Sequence, residues 1–491
     1  MKLEKVMNSN VVRSLMRYYS GKGSRRIYEL FDEEKENGIK AWITGLPIRM
    51  ALNYGMKKIN MTEEMKESFF SKYQNRQILM NIIKTIANNG LKQPFRFDGP
   101  LIIVWNFTNV CNLHCRYCYQ SAGRPLPDEL TFEEKIDLIN QMLDANVGYL
   151  AFSGGEPIMG PRFWDVLRYA SKYLHISIAS NGTLLEDKSL VDKLADYGAK
   201  NVFVSLDGAT PESHDFIRGK GNFKRTIKGI ENLVANPYLR VGINMVVTKR
   251  NYDEVPKVLE LSRELGVNSF SHYNFIPTGR GKEDFAMDLT PEQRDKLLNL
   301  LFDWHEKRKE TGLNIISTST EYARVIYERS GGKSTSLFHY SADNSTALKG
   351  IIEYAGGCGA GRVYAAVQPN GLVSPCVFMP TVIIGNVREN KLIDIWQNSE
   401  LGWQLSDREN YHFKCPKYKY ICGGCRARAY AYGDILGPDP GCIVYKKLKE
   451  GLDKVELVVE REEESNEKQA EVVFSGEENI EQEKEEVKAA I

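Results

Sequence analysis

Six apolar runs punctuate the middle of the chain, at Leu101–Phe107, Tyr149–Ser153, His175–Ser180, Asn201–Asp207, Val241–Thr248 and Ser269–Ile276. Between them, stretches such as Phe132–Asn146, Lys188–Tyr197 and Val255–Leu265 space their apolar residues as one face of a helix. Short apolar runs alternating with amphipathic helices predict strands joined by right-handed crossovers, and hence an α/β domain with a parallel sheet. Six such repeats over residues 98–310 fall short of the roughly eight that close a full barrel.

The flanks carry different patterns. Residues 1–97 read as helical, and the first 28 hold seven basic side chains against one acid, Glu4. Further on, Trp42, Ile43, Leu46, Ile48, Met50, Leu52, Tyr54 and Met56 accompany Arg49, Lys57 and Lys58. A basic amphipathic region of this kind either packs on the next domain or lies in a membrane interface. Residues 311–350 are rich in Ser, Thr and Gly and read as a polar connector, a mobile segment or lid. A cysteine-rich module spans 351–447, and residues 448–491 form a Glu-dominated tail expected to be solvated and without chemistry.

Composition narrows the function. A length of 491 residues allows two or three domains. A formal net charge of +1 gives no electrostatic case for nucleic-acid binding. Nine cysteines, odd in number and clustered, argue against a disulfide framework and for a reducing cytoplasm. The first residues lack the apolar core of a signal peptide. No run approaches the roughly 20 apolar residues of a membrane span. The expected location is cytoplasmic, with peripheral contact at the inner membrane face as an option.

Cys111, Cys115 and Cys118 form a C-x3-C-x2-C frame just after the first predicted strand. Thiolates are soft ligands suited to iron–sulfur clusters, whose electron-carrier sites usually supply four. Three thiolates in a tight loop can hold three irons of a cubane and leave the fourth open for a small ligand. A zinc knuckle would favour four closed ligands in paired C-x2-C units.

With Gly154-Gly155-Glu156-Pro157 following the second strand, the chain resembles the radical S-adenosylmethionine (SAM) superfamily. The resemblance implies an open six-unit (βα) partial TIM barrel and a [4Fe–4S] cluster whose free iron is chelated by SAM. It also implies that Glu156 meets the SAM ammonium and that Tyr117 lies beside the adenine. Gly154 and Gly155 allow close backbone approach. Ser180, Ser205 and Arg218 are candidates for the SAM carboxylate or ribose, with turn and capping chemistry as the alternative. Gly242, in Val241–Met245, could flank the adenine. His114 and Arg116 lie within the cysteine loop, where neighbours tune a cluster by hydrogen bonding. His272 and Tyr273 on the sixth strand could reach substrate or fill the core.

Six further cysteines, Cys358, Cys376, Cys415, Cys422, Cys425 and Cys442, read C-x12-G-x4-C and then C-x6-C-x2-C-x16-C. They resemble the SPASM module that carries auxiliary clusters in radical SAM maturases, with His412 standing where a further cysteine would fall. One arrangement groups Cys358, Cys376 and Cys425 at one cluster, and Cys415, Cys422 and Cys442, with or without His412, at another. A four-cysteine zinc site is the alternative.

The resemblance implies reductive cleavage of SAM to a 5′-deoxyadenosyl radical and hydrogen abstraction from an unactivated C–H, with ferredoxin or flavodoxin as reductant. The basic N-terminal region favours a membrane-lipid chain as substrate. A peptide or protein is a second substrate class. A tetrapyrrole is a third, because Cys422-Gly-Gly-Cys425-Arg-Ala-Arg-Ala looks like decarboxylating heme-pathway members. The contrasting reading is an iron–sulfur electron carrier, which would need no SAM site.

Overall fold

The computed structural model describes residues 5, 7–20, 62, 64, 71–332, 334, 336–337, 340–341, 354 and 356–451. The apolar and basic stretch Trp42–Lys58, most of residues 333–355 and the acidic tail from 452 lie outside the described residues.

Seven strands run parallel in sequence order: β1 (Ile102–Thr108), β2 (Tyr149–Gly154), β3 (His175–Ser180), β4 (Asn201–Ser205), β5 (Arg240–Val247), β6 (Ser269–Asn274) and β7 (Asn314–Ser317). Two short strands, β8 (Ser336–Leu337) and β9 (Tyr340–Ser341), finish that edge. On the far side of β1 come β10 (Tyr364–Val367), β11 (Leu372–Ser374) and β12 (Gly385–Asn386). The cysteine-rich module therefore continues the barrel sheet, since β10 pairs with β1 from Ile102 opposite Tyr364 to Trp105 opposite Val367.

Strand alternation separates two environments. Ile103, Trp105, Phe107 and Phe152 are fully buried in the main core, whereas Ile102, Val104, Tyr149, Ala151 and Ser153 line an interior cavity. Trp105, Phe107, Phe152 and Phe163 interlock, with Trp105 and Phe107 edge-on at 5.0 Å and Phe107 and Phe163 at 5.6 Å. Each such contact adds about 0.5–1.5 kcal/mol to the burial itself.

The helix Phe132–Asp144 starts with a reciprocal capping box between Thr131 and Glu134. The helix Tyr73–Asn89 covers the end of the barrel where the strands start, bringing Ile78 and Ile82 to the cavity floor. The helix Asn10–Ser20 packs on it through Met16, with Met7 just before the helix in the same cluster, and Arg13 Nη2 donates to Asn88 O at 2.6 Å. These described parts of residues 1–97 are helical and pack on the barrel.

The connector expected at 311–350 is corrected. Asn314–Ser317 form β7, and Glu321–Arg329 form a helix with Tyr322, Ala323, Val325 and Ile326 buried. The strand is only four residues long, and its apolar centre, Ile315-Ile316, is flanked by Asn, Ser and Thr. Those polar neighbours gave it the composition of a loop.

Candidate active site

The first cysteine frame follows β1 on a loop closed at its base. Gly123 N donates to Asn109 O at 2.8 Å and Cys111 N to Gly123 O at 3.2 Å. Arg280, just past β6, clamps the loop from the other side. Its backbone N donates to Cys118 O at 3.0 Å, Nε to Cys115 O at 2.8 Å and Nη1 to Ala122 O at 2.6 Å. Gly279 makes this approach possible: its φ is +57°, and a Cβ there would stand 2.2 Å from Cys118 O. Sequence reasoning missed Arg280; the Gly279-Arg280-Gly281 turn at the end of β6 was its only signal.

Gly154 and Gly155 are required by the same loop. A Cβ on Gly154 would lie 2.6 Å from Thr108 O, and one on Gly155 2.1 Å from Val110 O. Their backbones approach the end of β1, with Gly155 N donating to Thr108 O and Glu156 N to Val110 O, both at 2.8 Å. Glu156 is fully buried; Oε2 accepts from Asn181 N at 2.9 Å, while Oε1 has no partner. Burial pushes its carboxyl up to about 7. Its side chain therefore anchors the turn after β3, whose Asn181 and Ser180 line the cavity. The Ser180 hydroxyl accepts from Gly182 N at 3.0 Å.

Arg218 is paired with Asp207 at 2.5 Å through Nε, and its Nη1 stands 3.9 Å from Cys115 Sγ. Asp207 is itself fixed by Val246 N at 2.9 Å. A cation is thus held beside the thiols. Ser205 and Tyr117 also line the cavity, and Tyr117 meets Phe275 edge-on at 5.2 Å. His114 is exposed, and Arg116 is spent on Phe216, donating to its carbonyl at 2.8 Å and stacking at 4.2 Å. Gly242 clears Phe203, whose Cδ1 would be 2.5 Å from a Cβ. Alternation splits the β6 pair: Tyr273 faces the cavity, while His272 is buried outside it, Nδ1 against Ser317 Oγ at 2.9 Å.

All nine cysteines are free, and they fall into three groups of three. A single cavity of about 1110 Å³ reaches from Cys111, Cys115 and Cys118 to Cys358, Cys376 and Cys425. Its wall between them is aromatic: Tyr119 meets Phe378 edge-on at 5.2 Å, and Tyr273 meets the same ring at 6.3 Å. Tyr364 OH donates to Cys376 Sγ at 3.2 Å. Cys415, Cys422 and Cys442 line a separate, smaller space together with Glu321. This is the grouping the spacing allowed, but without His412, whose Nδ1 is 2.6 Å from exposed Asp434.

Burial pushes the Cys111 thiol up to about 11 and those of Cys376 and Cys422 to about 12. A metal binding there must displace those protons. Among the described residues no three His, Cys, Asp or Glu side chains are spaced to hold a single ion. Three soft donors per site, with a buried carboxylate oxygen lacking a partner beside the third, fit iron–sulfur clusters.

Within the Cys422-Gly-Gly-Cys425-Arg-Ala-Arg-Ala stretch, both arginines are buried and hold the surrounding framework. Arg426 Nη1 donates to Ile435 O at 3.0 Å and Gly437 O at 2.8 Å. Arg428 bridges Asp288 at 2.9 Å and Asp439 at 3.2 Å.

Comparison with known proteins bears on this arrangement. The radical SAM superfamily profile matches residues 105–262, and that of the SPASM iron–sulfur cluster-binding domain matches 358–426. The AdoMet-dependent heme synthase of Methanosarcina barkeri is 35% identical over 353 residues, 70% of this chain and 97% of that protein. The mycofactocin maturase MftC of Mycobacterium tuberculosis is 31% identical over 354 residues, 70% of this chain and 83% of its own length. The crystal structure of Streptococcus suis SuiB shares the fold, with a TM-score of 0.60 at 18% identity, covering 90% of this chain and 94% of that one.

Proposed function

The chain belongs to the radical SAM superfamily, among its SPASM-bearing enzymes, and from that premise we propose that it modifies a propionate-bearing tetrapyrrole. Membership of that family means a [4Fe–4S] cluster that binds SAM and auxiliary iron–sulfur clusters in the SPASM module. When bound, the cluster would supply the electron for reductive SAM cleavage and so for removing hydrogen from an unactivated C–H.

In this reading Cys111, Cys115 and Cys118 hold the SAM-binding cluster. Arg218, kept cationic by Asp207, and Ser205 face the SAM carboxylate or ribose, with Tyr117 beside the adenine. Glu156 fixes the Asn181 turn and has one oxygen free for the ammonium. Ferredoxin or flavodoxin delivers the electron.

The observation that carries the substrate class is the shared cavity. At about 1110 Å³ it exceeds the roughly 300–1,000 Å³ of a single small-ligand pocket. Its wall between the two cysteine triads offers the rings of Tyr119, Tyr273 and Phe378 to a flat second ligand beside SAM. The 35% identity to a heme synthase, over nearly its whole length, supports the same class. The 31% identity to MftC favours a peptide as the second reading. A lipid chain and membrane contact gain no support: the stretch Trp42–Lys58 lies outside the described residues, and no described helix is long and apolar enough to cross a membrane.

The test is anaerobic turnover with SAM, dithionite and iron–coproporphyrin III, following 5′-deoxyadenosine and porphyrin mass. Porphyrin decarboxylation coupled to 5′-deoxyadenosine is the expected result. SAM cleavage with the porphyrin recovered unchanged would overturn the tetrapyrrole and turn attention to peptides.

A further inference from the structure

The space lined by Cys415, Cys422 and Cys442 offers three thiols, one donor short of the four that close a cubane. His412 is the residue the spacing nominates for the gap. Its side chain is 61% exposed and faces Asp434, its backbone N donates to Leu436 O at 3.0 Å, and its neighbours Tyr411 and Phe413, not His412, line the space.

Glu321 sits there instead. It opens the helix Glu321–Arg329, is only 2% exposed, and its Oε1 has no hydrogen-bond partner. The arginines around it make their ion pairs with other carboxylates, although Arg324 Nε and Arg428 Nη1 keep no hydrogen-bond partner. Arg324 is paired with Asp295 and Glu328, Arg294 with Asp288, and Arg428 with Asp288 and Asp439. Thr320, the preceding residue, is held against the site by Cys422, whose Sγ lies 3.6 Å from Thr320 Oγ1. A buried carboxylate oxygen with no partner is costly unless a cation takes it. Three soft thiolates and a carboxylate make a complete ligand set for one cluster.

We propose that Glu321 is the fourth ligand of the auxiliary iron–sulfur cluster held by Cys415, Cys422 and Cys442. That cluster is then fully ligated, an electron relay with no open iron. The site at Cys358, Cys376 and Cys425 is the auxiliary site that faces the cavity.

The test uses full-length protein in which Cys111, Cys115 and Cys118 are Ala, so that only auxiliary clusters contribute. Parent, Glu321→Gln, Glu321→Cys and His412→Ala forms are reconstituted and compared by iron content, electron paramagnetic resonance and reduction potential. Glu321→Gln is expected to lose the iron of one auxiliary cluster or to convert it to a three-iron signal. Glu321→Cys is expected to keep its iron at a more negative potential, and His412→Ala to match the parent. A Glu321→Gln protein identical to the parent in iron, spectrum and potential would overturn the assignment, as would iron loss on replacing His412. If Glu321→Gln does not fold, an unchanged spectrum and potential in Glu321→Cys overturns it equally.

Discussion

Cys111, Cys115 and Cys118 stand on a loop that opens into the large cavity, whereas Cys415, Cys422 and Cys442 line a separate and much smaller space. The first loop is held by backbone carbonyls, through Arg280, and its thiols face a cavity with a cation, Arg218, beside them. The second set is held by packed side chains with a buried carboxylate among the thiols. An open iron can exchange a ligand; a fully ligated cluster can only pass electrons or set a potential. The middle group, Cys358, Cys376 and Cys425, shares the cavity with the first, and so belongs functionally with the open side.

If the Arg426–Arg428 stretch serves the second side as framework, breaking it should cost stability. Arg428→Met leaves Asp288 and Asp439 buried beside a lost partner, and should destabilise by about 3–5 kcal/mol, read by denaturant unfolding. Unchanged stability with a raised KM would instead make the stretch part of a binding site. On the open side, Gly155→Ala forces a Cβ to 2.1 Å from Val110 O. It should cost about 3 kcal/mol and disturb SAM binding, measured by calorimetry; a variant with wild-type melting would contradict the close approach.

Arg280→Ala sharpens the contrast further, because it removes two side-chain bonds to the loop carbonyls and no thiol. SAM cleavage should fall about 10–100-fold, as for other groups that orient metal ligands, while auxiliary-cluster signals persist. Equal loss of all clusters would refute a loop-specific role. The smallest effect is expected where the two halves meet. Arg388 pairs with Glu134 at 2.6 Å and holds its carboxyl down at about 2. This stability is present above the unfolded glutamate value of roughly 4.3 and is lost as pH falls toward 2. With both groups about one-third exposed, screening leaves about 0.5 kcal/mol. Arg388→Ala should lower stability by that much at neutral pH and by less near pH 3, measured by unfolding across pH.

The barrel was legible because its strands are apolar runs bounded by turns: His175–Ser180 ends where the pattern places it, and β1 and β5 shift by one residue. β7 was not, since a four-residue strand among serines and threonines has no periodicity to read. The cysteines announced themselves by spacing, and even their division into groups was available as one option. What spacing could not give is which distant residue fills a gap. Arg280 reaches the loop across more than 150 positions, and Glu321 joins cysteines nearly 100 positions away, contacts made by the fold alone. Gly154 and Gly155 were read for close backbone approach; they line the cavity, and a Cβ on either would meet the end of β1.

The most direct test of the open first site is anaerobic. Wild-type protein and a Cys111/Cys115/Cys118→Ala form, both reconstituted with iron and sulfide, are reduced with dithionite and given SAM, and 5′-deoxyadenosine is quantified. The account predicts product from the wild type alone, with auxiliary iron retained in the variant. Equal product from both, or none from a wild type that has bound iron and SAM, would contradict it.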